Sequence, residues 1–310
     1  MRNTFVDQLC KEAKKNKKIW LLTADLGFSA LEPFMRAFPG RYINVGVAEQ
    51  NMIGIAAGLS LSGYKVFVYS IANFPTLRCL EQIRNDICYH KLDVTVVSVG
   101  AGFSYGTQGY THHGLEDVAV MRCLPHMNLI VPADPLETRA AVSLLCTHNG
   151  PAYLRLGKAG EKNLHTKKPP MKWGKAIKVT TGRDVLILAS GSLLGEAQKA
   201  HDLAKDQGIS VAVWSLPFIK PLDKKTITLA MKTFKLIVTL EESQIDGAMG
   251  SAIAELIAEQ RGTKPLLRRM GVPNTILYNA YEQNDARKKC GLDARSLFIK
   301  IRGHPFFSQI

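Results

Sequence analysis

A chain of 310 residues with 40 Lys and Arg against 26 Asp and Glu carries a formal charge of +14, with 46% hydrophobic and 21% charged residues. That composition excludes a disordered chain, and at about 150 residues per domain it predicts two domains, each able to bury a core. The longest apolar stretch, 52–68, is broken by Gly54, Gly58, Gly63 and Lys65, so it falls short of the ~20 apolar residues of a membrane span.

The first 18 residues alternate charged and apolar positions at helical spacing and lack an apolar core or a small-residue cleavage site. They predict a first helix and no export signal, the basic run from Lys11 to Lys18 being its solvated face and end. Strands are then expected at 19–23, 66–69, 94–99 and 129–131, and after them at 185–189, 210–214, 236–240 and 266–268. Helices are expected between them at 47–61, 77–89, 135–146, 194–207 and 247–259, each bounded by Gly, Pro or Asp at cap positions. β-branched runs alternating with helical periods read as α/β, two domains each built on a mainly parallel sheet with helices on both faces. A polar, Lys- and Pro-rich stretch separates the halves, giving domains at 1–160 and 181–310 with a linker at 161–180. The six cysteines are scattered, without a CxxC pair or zinc-type spacing, which suits free thiols in a reducing cytoplasm. No Arg-rich helix or ladder of aromatics accompanies the basic residues, so no nucleic-acid partner is expected.

Three stretches carry chemistry. After the strand at 94–99, residues 102–106 read GxSxG and 100–102 begin a GxG loop. Both patterns need a helix to follow at once, yet 107–114 is polar and Gly-broken and the next helix begins near Leu115. A serine hydrolase and a dinucleotide site are therefore disfavoured. What remains is a glycine-rich loop carrying His112 and His113 at the carboxyl end of a strand, where open α/β sheets bind ligands. The helix at 47–61 is apolar almost all round, which predicts burial, and Glu49 within it is either a member of a structural ion pair or a functional acid. Phe74 precedes a helix bearing Arg78, Glu81, Gln82 and Arg84; by itself such an aromatic reads as core.

Taken in order, GVAEQNMIGIAAGL at 46–59, Phe74 with EQIRND at 81–86, THHGLEDVAVMR at 111–122, VPADPLETRAA at 131–141 and GPAYLRLG at 150–157 resemble the pyrimidine-binding domain of transketolases. The second half, with Ser190-Gly191-Ser192 and EESQIDGAMGSAIAE at 241–255, is similar to the C-terminal domain of that family. The resemblance implies a thiamine diphosphate enzyme moving a two-carbon ketol unit between sugars. Glu49 then matches the carboxyl group that bonds the aminopyrimidine nitrogen opposite the exocyclic amine. Phe74 matches the aromatic that stacks on the pyrimidine, with Ile71 standing where the family has another aromatic. Asp25 and Ser29 match positions lining the cofactor and substrate channel. His112 and His113 would face the substrate oxygens, and Arg2 matches an arginine that contacts phosphate. Gln108, Gly100 and Lys158 stand where the family has an acidic residue, a phosphate-binding histidine and an arginine, which implies a substrate other than an ordinary pentose phosphate.

No GDG segment, the family's diphosphate and metal motif, occurs in the chain. The resemblance therefore implies a separate N-terminal subunit that carries this motif and holds most of the contacts to Mg2+ or Ca2+, in an α2β2 assembly. The alternatives are the β subunit of a 2-oxo acid dehydrogenase, a relative of deoxyxylulose-phosphate synthase, and a non-catalytic scaffold subunit.

Overall fold

Val94–Val99 is β-branched at five of six positions and every one of its residues is buried. Only a strand covered on both faces of a sheet tolerates such a run. In the computed structural model, which describes residues 1–303, it is the fourth strand of a large sheet; 304–310, the end of the expected second domain, lie outside the described residues. The strands are β1 (Ile19–Thr23), β2 (Tyr42–Asn44), β3 (Lys65–Ile71), β4 (Val94–Val99), β5 (Asn128–Ile130), β6 (Ala152–Leu156), β7 (Ile177–Lys178), β8 (Val185–Ala189), β9 (Val211–Ser215), β10 (Phe218–Lys220), β11 (Leu236–Gln244) and β12 (Leu266–Val272). Among the described residues they form a seven-stranded sheet, β10-β5-β6-β4-β3-β1-β2, and a five-stranded sheet, β12-β11-β8-β9-β7. All neighbours run parallel except β10 with β5 and β7 with β9, so the α/β class holds in both sheets.

Helices cover the faces: α1 (Arg2–Lys15), α2 (Glu32–Ala37), α3 (Glu49–Leu61), α4 (Leu80–Gln82), α5 (Asp117–Cys123), α6 (Pro135–Thr147), α7 (Leu194–Lys205), α8 (Lys224–Met231), α9 (Met249–Ala258), α10 (Gln283–Lys289) and α11 (Ala294–Arg302). One face of the large sheet packs under α1 and α6 through Phe5, Leu9, Val142 and Leu145. On the other face, Met52, Ile53 and Ala56 of α3 share one continuous core with Leu186, Leu188 and Trp214 of the second half. All six cysteines are free thiols. Among the described residues no helix is long and apolar enough to cross a membrane.

Four strands escaped the periodicity. β2 and β7 are two or three residues long, β10 crosses from the second half to the edge of the first sheet, and β6 carries Arg155 in its middle. An arginine within a short run reads as surface, whereas Arg155 is 3% exposed. The helix expected at 77–89 is α-helical only over Leu80–Gln82 and continues as a π-helix over Ile83–Cys88. Helix α3 departs from the expected burial. Met52, Ile53, Ala56 and Ala57 face the core, but Gly54 and Gly58 open onto space and Leu61 is exposed. Apolar sequence on both sides of a helix requires cover on both sides, and this chain supplies only one.

The linker is tied to the first sheet at the start of α6. Asp134 caps that helix, accepting the Glu137 N–H at 2.7 Å, and its second oxygen accepts Leu164 and His165 N–H at 2.8 and 3.0 Å. Buried Glu137 takes the Ala133 N–H at 2.8 Å and lies 2.7 Å from His165 Nε2. Burial depresses His165, but the Glu137 hydrogen bond and the charges of Glu137 and Asp134 outweigh it and leave its pKa above 6.5. A folded pKa above the unfolded one stabilises fully below the unfolded value and ceases to do so as pH rises through the folded value. Urea unfolding at about pH 6 and about pH 8.5 should therefore show a pH-dependent loss that His165→Asn removes.

Candidate functional site

The site lies along the carboxyl ends of β1 to β4. After β1 the chain turns through left-handed positions at Asp25 (φ 54°) and Ser29 (φ 59°). Asp25 is locked to the end of β2: its N–H donates to Asn44 Oδ1 at 2.9 Å and its Oδ1 accepts from Asn44 Nδ2 at 3.2 Å. Asn44 Oδ1 also accepts the Gly46 N–H at 3.1 Å, and Gly46 at φ +73° turns the chain into α3. The Ser29 N–H donates to Glu32 Oε1 at 2.7 Å, so this residue opens α2. Both Asp25 and Ser29 are exposed, beside Phe28, whose ring is 69% exposed.

Glu49 is the first residue of α3, where unpaired N–H groups and the helix dipole favour an anion. Its carboxyl group is 4% exposed and accepts a hydrogen bond from Arg78 Nη1 at 2.7 Å. The same guanidinium lies over Phe74, 4.6 Å from the ring centroid, while its main-chain oxygen accepts from Gln50 Nε2 at 3.1 Å. The Phe74 ring meets the His112 imidazole edge-on at 5.4 Å between centroids. Arg78 thus joins Glu49 to Phe74, which in turn meets His112; sequence reasoning named Arg78 but gave it no role. Its position four residues after Phe74 was the available signal. Ile71 ends β3, and Ala72 behind it is held at φ 28° by an N–H to the Val99 oxygen at 2.7 Å and by Ser98 Oγ and Thr76 Oγ1 on its own oxygen.

His112 is half-buried, with Nδ1 3.0 Å from Thr111 Oγ1. Burial and the neighbouring His113 hold its pKa below 6.5, so at neutral pH it is an uncharged imidazole able to accept a proton or share one. His113 turns the other way. It is 1% exposed, packs edge-on to Phe103 at 5.2 Å, and places Nε2 3.3 Å from the Gly106 oxygen. Its Nδ1 and the nearby Asn73 Oδ1 are buried without hydrogen-bond partners, although Asn73 Nδ2 donates to the His113 oxygen at 2.6 Å. Gln108 lies exposed at the loop tip. Ser104 of the GxSxG pattern is 3% exposed and donates to the Ala101 oxygen at 2.7 Å, an arrangement without a nucleophile's exposure or a base.

Arg2 and Lys158 meet further along the sheet edge, where the Arg2 N–H donates to the Lys158 oxygen at 3.0 Å. The positive charge of Arg2 acts on the half-buried phenol of Tyr105, a residue that sequence reasoning did not single out. Gly100 (φ +101°) has no room for a side chain: a Cβ there would lie 2.5 Å from the Tyr105 ring. Among the described residues no cluster of three or more His, Cys, Asp or Glu is placed to hold a metal ion.

A buried carboxyl at a helix start, an aromatic face and a histidine loop stand together on the carboxyl edge of a parallel sheet, the edge at which α/β proteins bind ligands. Residues 1–160 match the transketolase pyrimidine binding domain and 174–297 the transketolase C-terminal domain, and the chain belongs to this family of thiamine-dependent transferases. It is 35% identical to one subunit of the apulose-4-phosphate transketolase of Phocaeicola vulgatus, covering 91% of this chain and 90% of that one. It is 36% identical to a 6-deoxy-6-sulfo-D-fructose transketolase subunit of a Clostridium species, over 88% of this chain and 84% of that one. A solved split-gene transketolase, described as an inactive β4 tetramer, overlays with a TM-score of 0.87 at 34% identity, covering 97% of this chain and 96% of that one. By contrast, the chain spans only 47% of the 1-deoxy-D-xylulose-5-phosphate synthase of Thermomicrobium roseum, at 34% identity. Its extent is that of the C-terminal subunit of a split transketolase.

Arg78→Ala would leave the Glu49 carboxyl without its cation. Because the Arg78 side chain is 46% exposed, the expected loss is about 1–2 kcal/mol, below that of breaking a fully buried pair. Urea unfolding measures it, and wild-type stability would show that Glu49 does not depend on this pair.

Proposed function

We propose that this chain acts with a separate N-terminal subunit to transfer a two-carbon ketol unit between sugars. Glu49 and Phe74 would hold the aminopyrimidine of thiamine diphosphate, and His112 would face the substrate. The observation that carries this reading is the Arg78 guanidinium. A planar group bearing N–H donors already lies over the Phe74 face while bonding the Glu49 carboxyl, so the pair accepts a flat heterocycle with the same donor pattern. When bound, thiamine diphosphate supplies a nucleophilic carbon that takes up and releases the ketol unit. Glu49 would hold a proton at the ring nitrogen from a site dry enough to keep that hydrogen bond strong. His112, uncharged at neutral pH, would take or return the proton of a substrate hydroxyl. Asp25 and Ser29 would line the channel, with Ile71 beside the ring. His113, turned into the loop, would support the loop's shape.

The diphosphate has no comparable grip in this chain, which lacks a GDG segment. We assign it, with Mg2+ or Ca2+, to the partner. The exposed side of α3, with Gly54 and Gly58 open to close approach and Leu61 68% exposed, together with Val47 just before the helix, 77% exposed, would be the partner's docking face in an α2β2 enzyme. Six free thiols and the family suit a cytoplasmic enzyme.

Calorimetric titration with thiamine diphosphate and Mg2+ should give weak or no binding to this chain alone and stoichiometric binding once the partner is added. Tight binding without the partner would overturn the divided site. In the reconstituted pair, Glu49→Gln should slow exchange of the cofactor C2 proton by a factor that corresponds to ~3 kcal/mol or more, with a smaller effect on binding. An unchanged exchange rate would mean that another group carries the acid role.

For the substrate, Tyr105 fills the space above Gly100, Lys158 offers a point charge in place of a forked guanidinium, and Gln108 offers an amide in place of a carboxylate. Together with Arg2, these residues suit a modified, nucleotide-linked or unphosphorylated sugar. The two relatives named for an apulose phosphate and a sulfo sugar are consistent with such a shift. The kcat/KM of the pair should be higher on such ketoses than on xylulose 5-phosphate with ribose 5-phosphate; the reverse order would refute this assignment.

A further inference from the structure

The loop that carries Gln108, Thr111 and His112 is closed on itself where Gly102 and Gly114 exchange N–H···O bonds, each 2.9 Å. Beyond its internal contacts, it is braced from both halves of the chain. Glu242, on β11 in the second half, is 5% exposed and accepts the Phe103 N–H at 2.9 Å. Its carboxylate is held in turn by Arg287 Nε at 2.8 Å, with a second Arg287 bond, and by Gln283 Nε2 at 3.0 Å. Arg287 is fixed by Ser192 Oγ at 2.6 Å, and Gln283 also reaches Ser104 Oγ at 3.3 Å. From the first half, Arg155 donates to the Gly114 oxygen and, at 2.9 Å, to the Glu242 main-chain oxygen. The fit leaves no slack: a Cβ on Gly102 would overlap the Glu242 side chain, and one on Gly106 would overlap the Tyr281 oxygen.

Burying two charges costs desolvation energy that apolar packing of equal volume would avoid. Joining the two halves therefore does not account for Glu242, since their common core already does so. An aliphatic side chain could not accept the Phe103 N–H, and that bond sets where the loop begins. We propose that Glu242, clamped by Arg287 and Gln283, is a positioning residue for His112: through it the second half of the chain fixes the loop so that His112 stays against Phe74. This assignment rests on the transketolase reading for what His112 does, but not for where it sits.

The test uses the full chain and the pair reconstituted with its N-terminal subunit. Glu242→Gln keeps the shape and loses the charge that anchors Arg287. Gln283→Leu, at a half-exposed position, serves if the first variant does not fold. In the full chain, the His112 imidazole followed by proton NMR should lose its depressed midpoint and titrate closer to 6.5. In the pair, kcat should fall about tenfold or more, while the Kd for thiamine diphosphate by calorimetry changes less than about threefold, because Glu49 and Phe74 lie outside the clamp. An unmoved His112 titration in a folded variant, or kcat and Kd lost together, would overturn the clamp. A moved titration in a chain whose wild-type pair binds no thiamine diphosphate would support the clamp and overturn the cofactor reading instead.

Discussion

Arg155 sits in the middle of a buried strand, and the arrangement around it follows from the need to satisfy that one guanidinium. Nε donates to Asp117 Oδ2 at 2.7 Å, and Nη2 reaches the Gly114 and Glu242 main-chain oxygens. The Tyr153 hydroxyl, two residues earlier on the same strand, bonds the same Asp117 oxygen. A guanidinium cannot shed its charge, so its donors must be met by acceptors from fixed directions. Meeting them brings the start of α5, the end of the histidine loop and the last part of β11 to one point. The two sheets are therefore coupled by directional bonds as well as by the shared apolar core. Apolar contact can slide, whereas these bonds cannot without orphaning a buried donor.

At the site end of the sheet, a second charged pair works in the opposite sense. Glu49 is buried but Arg78 is half-exposed, so the pair is anchored on one side and open on the other. The carboxyl stands at the start of α3, and the guanidinium reaches it from a half-exposed position. The Arg155 cluster ties the loop to the sheet edge, and the Glu49–Arg78 pair stands beside the Phe74 face.

Helix α3 joins both features to the question of partners. Its inner side packs on the sheet and its outer side presents glycines and apolar side chains to open space. The chain matches 90% and 84% of two transketolase subunits but only 47% of the 1-deoxy-D-xylulose-5-phosphate synthase.

Much of this was legible in the sequence because periodicity reports burial directly. β4, β8 and the inner side of α3 follow from runs of apolar residues, and Glu49 was conspicuous as a carboxyl among them. The family order of motifs, from 46–59 to 241–255, settled the architecture without coordinates. Three things needed the tertiary structure. A charged residue in a short strand gives no apolar signal, so β6 became visible only when Asp117 and two main-chain oxygens were seen to satisfy Arg155. The partnership of Arg78 with Glu49 and Phe74 depends on how the chain after β3 folds back over α3, which is a matter of distance in space. The opposite orientations of His112 and His113, adjacent and identical in type, are set by Phe103 and the Gly106 oxygen on one side and Phe74 on the other. Local sequence determines which groups are present and which segments are buried; which groups face one another is decided by packing between segments far apart in the chain.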